Sequence, residues 1–308
     1  TTAARGAARR ARLAGKARTS DGIGEGVSHG FAVVVFSTHS DEGVVSESGC
    51  FPRPESHIWP HTEAQGYRSS YASPMLFPVG TDRGFRRTPV VTTAIIALTV
   101  AVFFLQMLAA NRAAQEAGGE DLVVMSAERS ELVQRLAAGP GQPWYTAVTS
   151  AFLHADWLHI VGNMVLLAVF GVLIEDRLGH LGFAVLYLSG AAASSVLFQV
   201  LQGGYGFGAS GAVATVTGAF LALMPLVQVR VASLVGGSLV ISGWGFVLIA
   251  VGFDVFLSLR LTEHRVGWGA HLGGYAFGFS VAMVLLATGV LGPERHDMFA
   301  LFKRARLR

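Results

Sequence analysis

Gly208-Ala209-Ser210-Gly211 opens a segment that stays apolar as far as Val227, and the reading of this stretch decides the fold. A helix of about twenty apolar residues is what crosses ~30 Å of hydrocarbon. A serine between two glycines stands on backbone that is uncovered on both sides, so another group can approach it closely. Soluble hydrolases frame a nucleophilic serine in a similar way, but at a sharp turn between strand and helix. Here no strand is expected before Gly208. Taken alone, the tetrapeptide is equally what small-residue packing of membrane helices produces, in a chain that holds 38 glycines.

Outward from this stretch, the composition points the same way. Of the 308 residues 52% are hydrophobic and 14% charged, far from the usual soluble mixture. The apolar residues gather in blocks long enough to span a bilayer, at 89–110, 147–173, 182–201, 208–227, 235–257 and 266–291. The expected fold is an all-α membrane protein, a bundle of six transmembrane helices. Arg83, Arg86 and Arg87 precede the first block, and Lys303, Arg304, Arg306 and Arg308 follow the last. Arg177 and Arg230 fall in the two other loops on that side, so the positive-inside bias predicts an N-in, C-in topology. These flanking cations account for the net charge of +3 without a nucleic-acid partner; the partner is the lipid bilayer. The connection 111–145 is too polar to span and reads as partly helical around 127–136. Cys50, the sole cysteine, excludes an internal disulfide.

The domain reading follows. Residues 1–74 hold six basic residues and no acid in their first eighteen, then Gly/Ser/His-rich sequence without periodicity. They read as a disordered extension, as a transit peptide lacking its amphipathic face, or as a gene-model artefact upstream of a start at Met75, which is the favoured expectation. Residues 75–88 form a basic cytoplasmic lead-in, 89–291 the six-helix domain and 292–308 a basic cytoplasmic tail.

Histidines within spans are costly and point to function. His159 and Asn163 are four apart and share a helix face, with His154 about a turn and a half earlier on the expected second span. His271 opens the sixth. In the expected topology these residues and Ser210 lie in the outer halves of spans two, four and six. Gly211, Ala214 or Thr215, and Gly218 thin one face of span four, while Gly274 and Gly278 thin the face of span six that carries His271. Thin faces let backbones approach, bringing His271 toward Ser210. Interhelical hydrogen bonding by each histidine is the plainer reading, but it leaves unexplained why all of them stand level with a glycine-framed serine. No metal is expected: His154 and His159 are five apart, and the spacing that sets two ligands on one helix face is absent. A carrier is not favoured, since Glu175 and Asp254 sit near span ends.

The H-x-x-x-x-H-x-x-x-N from His154 to Asn163, the G-x-S-G at Gly208 and the A-H-x-x-G-x-x-x-G from Ala270 to Gly278 resemble, in that order, the rhomboid intramembrane serine proteases. The likeness covers roughly residues 75–291, including the run from Leu173 to Gly179, and implies the basic six-helix form usual in bacteria, in the cytoplasmic membrane. It implies a Ser210–His271 dyad with no orienting carboxylate, so that packing orients the histidine. His159, Asn163 and the Ser210 backbone N–H would hold the oxyanion. His154 would support them, and Glu175 would tie the first-loop region to cytoplasmic helix ends. The reaction would be endoproteolysis of single-span transmembrane proteins near the outer leaflet, with no cofactor, beneath a lid formed by 258–265. A catalytically inactive membrane-protein binder or chaperone is the alternative. Two departures stand out. Trp144-Tyr145-Thr146 keeps the first-loop tryptophan of many members without its arginine, and Ala214 replaces an aromatic that packs on the histidine. The second departure leaves Tyr205 or Phe207 as candidates to hold His271.

Overall fold

The computed structural model describes residues 76–116, 131–233, 237–260 and 267–306. The readings made for 1–74, for 127–130 and for the lid beyond residue 260 lie outside them.

Strand β1 (Leu76–Thr81) leads into helix α1 (Val90–Glu116). Then come α2 (Glu131–Leu136), a single turn α3 (Thr146–Thr149), and a 3₁₀ turn (Ser150–Phe152). Helix α4 (Trp157–Leu166) continues through a π-helical turn (Leu167–Gly171) into α5 (Val172–Leu201). Helix α6 (Ser210–Leu223) is followed by strands β2 (Gln228–Ser233) and β3 (Ser238–Ser242), and by α7 (Gly243–Arg260), α8 (Trp268–Ala287) and α9 (Met298–Arg306).

Among the described residues three helical runs are long and apolar enough to cross a membrane: Val90–Arg112, Trp157–Leu201 and Trp268–Ala287. Helix α6 and Gly243–Phe256 are apolar but shorter. A straight helix over the 45 residues of the second run would reach about 68 Å at about 1.5 Å per residue, twice the hydrocarbon thickness. It is not straight. Gly179 has φ 74° and ψ 169°, a conformation open to glycine, and breaks the run into legs over 157–178 and 180–201. These legs are where the apolar blocks at 147–173 and 182–201 lead one to look. The protein is a multi-pass membrane protein, and its apolar exterior fits that solvent: Leu98, Phe104 and Leu105 on α1, Val185, Val196 and Val200 on α5, and Leu248 and Ile249 on α7 are all exposed.

Helix α6 is the inverse case. All its residues are buried except Ser210 and Leu221, and its threonines satisfy their own hydroxyls: Thr215 donates to the Gly211 carbonyl at 3.1 Å and Thr217 to the Val213 carbonyl at 2.9 Å. Its small-residue face meets α8 backbone to backbone. A Cβ at Gly274 would overlap the Gly211 carbonyl oxygen, and one at Gly278 the Thr215 carbonyl. A Cβ at Gly218 would overlap the Tyr275 carbonyl in turn. Leg 180–201 closes on the same helix, where Gly190 faces Thr215.

Two features depart from an all-α bundle. Strands β1, β2 and β3 form an antiparallel sheet in that order, with Phe77 opposite Ala232 and Arg230 opposite Val240. The fifth apolar block was expected to be helical from 235; residues 235–236 lie outside the described residues, Ser238–Ser242 form β3, and the helix starts at Gly243. Val229 and Val231 are buried while Arg230 between them is exposed, the period-two alternation of a strand. The second departure is at the expected start of span two. Leu153 is extended, with φ −93° and ψ 148°, and α4 begins only after Asp156, whose side chain caps it by accepting the His159 N–H at 2.8 Å. His154 therefore precedes the helix instead of lying on it.

Candidate active site

Ser210 is the first residue of α6, so its N–H is among the first-turn amides without an intrahelical acceptor, at the positive end of the helix dipole. The approach to it is built by Gly208. Its φ of +129° is strained for any residue with a side chain, and its N–H donates to the Ser150 carbonyl at 2.9 Å. A Cβ there would come within 2.6 Å of the His159 ring. Glycine at 208 thus admits an imidazole to the doorstep of the serine, and glycine at 211 admits Ser194 and Ala270 from the two flanking helices.

The break before α4 gives His154 its place. Its backbone is held by Gln106 of α1, whose side-chain oxygen accepts the His154 N–H at 3.1 Å and whose amide donates to the His154 carbonyl at 3.2 Å. Both residues are wholly buried. The His154 and His159 rings meet edge to face with centroids 5.0 Å apart, although the sequence spacing had set them well apart around one helix. Asn163 Nδ2 lies 3.2 Å from His154 Nε2 and donates to the His159 carbonyl at 3.0 Å. The Ala209 N–H points at the same His154 Nε2, at 3.4 Å. The structure thus links His154, His159, Asn163 and the residue before Ser210 in one hydrogen-bonded group.

His271 enters from α8, one turn before Gly274. Its Nδ1 lies 3.0 Å from Asp254 Oδ1 of α7, and the Asp254 side chain is only 3% exposed. The expected dyad had no carboxylate, and Asp254 had been set aside as a span-end residue; the chain supplies one from the helix before. Neither Tyr205 nor Phe207 takes the role offered to them. The Tyr205 ring lies on Gly139 and its hydroxyl donates to the Pro140 carbonyl at 3.3 Å, while Phe207 packs with Val133, Ala137 and Leu153. These contacts, with paired hydrogen bonds of 3.0 and 2.9 Å between Ala138 and Gly206, fasten the first loop to the segment entering α6. Trp144, without its arginine, is 86% exposed, its ring set edge-on to the neighbouring Tyr145.

Glu175 lies apart from this group. Its carboxylate accepts from Val91 N–H at 2.8 Å, Thr92 N–H at 2.7 Å and Thr92 Oγ1 at 2.6 Å, with His180 Nδ1 at 2.6 Å. It ties the start of α1 to the end of leg 157–178, while the first loop is held by the Ala138–Gly206 pairing. Among the described residues no three His, Cys, Asp or Glu side chains converge to hold a metal ion. Sequence reasoning missed Gln106 and gave Asp254 no role in the site. Both are polar residues inside apolar runs, which is the signal that marks such positions.

Comparison with known proteins locates a family. Residues 141–288 match the Rhomboid domain model. The chain is 42% identical over 72 residues to the Arabidopsis thaliana protein "Rhomboid-like protein 11, chloroplastic", covering 23% of this chain and 26% of that one. It is 31% identical over 153 residues to "RHOMBOID-like protein 12, mitochondrial" of the same plant, covering 43% and 44%. It is also 26% identical over 197 residues to "Rhomboid protease GluP" of Bacillus subtilis (strain 168), covering 64% and 35%. In each case the chain spans less than half of the relative's length.

Proposed function

The chain belongs to the rhomboid family, and from that premise we propose that it is an intramembrane serine endopeptidase that cleaves single-span transmembrane proteins near the outer leaflet. One observation carries the reading: Ser210 and His271 open two helices whose backbones touch at Gly211 and Gly274, with a second histidine against Gly208. Plain helix packing needs the glycines; it does not need the serine and the imidazoles.

In this mechanism His271 Nε2 takes the Ser210 Oγ proton as the oxygen attacks the scissile carbonyl carbon. The carbonyl oxygen becomes an oxyanion facing the Ser210 N–H, with His159 and Asn163 as further donors. The C–N bond then breaks, the proton on Nε2 passes to the leaving amine, and water hydrolyses the acyl-enzyme by the same route in reverse. Asn163 is engaged with His154 and the His159 carbonyl in the resting arrangement, so it serves the oxyanion by giving up one of these contacts. The proposal includes six spans, both termini cytoplasmic, no cofactor, and a bacterial cytoplasmic membrane. The test is reconstitution in proteoliposomes with a generic transmembrane substrate. Wild type should cleave, Ser210→Ala should not, and cleavage by the alanine variant would sink the proposal. The alternative, a catalytically inactive binder of membrane proteins, predicts substrate capture by both forms with cleavage by neither.

A further inference from the structure

Histidine works as a general base only if the nitrogen facing the serine is the unprotonated one, which depends on what the other nitrogen meets. In this chain His271 Nδ1 meets a carboxylate, Asp254 Oδ1 at 3.0 Å. A carboxylate can only accept, so the proton sits on Nδ1 and the lone pair on Nε2, the nitrogen left for Ser210. We infer that Asp254 is a positioning residue for His271, turning the Ser210–His271 pair into a serine–histidine–aspartate relay carried on three helices, α6, α8 and α7. The inference rests on the protease reading above.

Two further observations support it. Asp254 is 2% exposed in an apolar helix, and burying a carboxylate is costly unless a partner repays it; the partner is the His271 imidazole on α8. Finally, Ala214 stands where an aromatic was expected to steady the histidine; it is buried, and a Cβ at Gly274 would lie 2.8 Å from its Cβ. Alanine at 214 offers no ring to pack on His271. With packing unable to orient the ring from that side, a hydrogen bond orients it from the other. As the imidazole takes the serine proton, the nearby carboxylate also stabilises the imidazolium formed, without itself taking a proton.

The experiment compares Asp254→Asn and Asp254→Glu with wild type in proteoliposomes, scoring kcat, KM and the rate of Ser210 labelling by a fluorophosphonate. In soluble triads the Asp→Asn change costs about 10⁴-fold in kcat. We expect Asp254→Asn to lose about 10²–10⁴-fold in kcat and in labelling rate with KM little changed, and Asp254→Glu to recover at least about tenfold of that. A mere tie between helices would lower the melting temperature and leave kcat per folded molecule untouched, and that result overturns the inference. Should Asp254→Asn not fold, ¹⁵N-histidine NMR of the wild-type protein decides, with His271 assigned by His271→Gln. A proton on Nδ1 with bare Nε2 supports the relay, and the opposite tautomer refutes it. Cleavage by Ser210→Ala would instead remove the protease reading itself, whereas an inactive Ser210→Ala beside a fully active Asp254→Asn removes only the relay.

Discussion

The two ends of the helix bundle handle buried polarity in opposite ways. At the end where α6 finishes and α1 begins, the carboxylates are matched by donors and cations. Glu175, wholly buried, receives two backbone N–H groups, a hydroxyl and an imidazole. Asp176 accepts the N–H groups of Arg86 and Arg87, both at 2.9 Å, and Glu294 pairs with Arg83 at 2.8 Å and Arg177 at 3.5 Å. At the other end, where α6 begins, the side chains are a serine, three histidines, an asparagine and one carboxylate, Asp254, which meets His271 at 3.0 Å. There Asn163 Nδ2 and the Ala209 N–H share a single ring nitrogen, His154 Nε2, at 3.2 and 3.4 Å. A carboxylate saturated by four donors has no capacity left for chemistry and acts as an anchor. An imidazole that shares one nitrogen and keeps the other can move a proton. The same fold thus spends its polar groups on rigidity at one end and on readiness at the other.

Substitutions at the two ends should separate these roles. The largest effect belongs to Ser210→Ala and His271→Ala: each should lower turnover by about 10⁴-fold or more, and the double variant should lose little beyond either alone, because the two act as one unit. Additive losses would show that they do not. Next is Asn163→Ala, expected to slow kcat by about 10²–10³-fold while the Ser210 N–H and His159 keep serving the oxyanion. Complete loss from a folded Asn163→Ala would mean that its contact with His154 holds the whole site together, and the contrast between a poised end and a rigid one would weaken.

The bundle was legible in the sequence where one rule dominates. Apolar blocks of bilayer length marked α1, both legs of the broken run, α6 and α8, and residues that are costly in hydrocarbon marked Ser210, His271, His159 and Asn163. What escaped was set by competition between short-range signals and by contacts across the chain. The strand pattern at Val229-Arg230-Val231 fell between two apolar blocks, and the Ser238–Ser242 strand lay inside the block read as a helix. Asp156 announced a helix start, but the apolar residues before it concealed the break that brings His154 to Asn163. The Asp254–His271 contact joins residues seventeen apart on different helices, and no local pattern encodes such a pairing. Tyr205 and Phe207 were candidates to hold His271 as aromatics close in sequence to Ser210; the Gly139 surface and the Val133 cluster claimed them.

The anchoring end is tested by Glu175→Gln. The amide keeps the shape but sets an NH₂ among donors, and losing hydrogen bonds to a buried charge costs about 2–4 kcal/mol. Unfolding in mixed micelles should show that loss, with kcat per folded molecule within about twofold of wild type. A large fall in kcat at unchanged stability would mean that the two ends are coupled and that Glu175 does more than anchor.

The smallest expected effect is at Glu294, on the rim of the same end. Burial opposes its ionisation, but the Arg83 hydrogen bond and the charges of Arg177, Arg83 and Arg86 outweigh that, holding the carboxyl below its ordinary range. A carboxyl depressed in the folded state adds stability that is fully present above its unfolded value and is lost as pH falls through the folded one. Its side chain is 33% exposed, so screening limits the contribution to less than about 1 kcal/mol. Glu294→Gln should therefore melt slightly below wild type at pH 7. The gap should start to shrink as pH falls through the ordinary carboxyl value of 4.5 and vanish below it, and salt should narrow it at neutral pH. A gap that persisted in acid would have to come from lost packing, and the ion pairs at this end would then count for shape more than for charge.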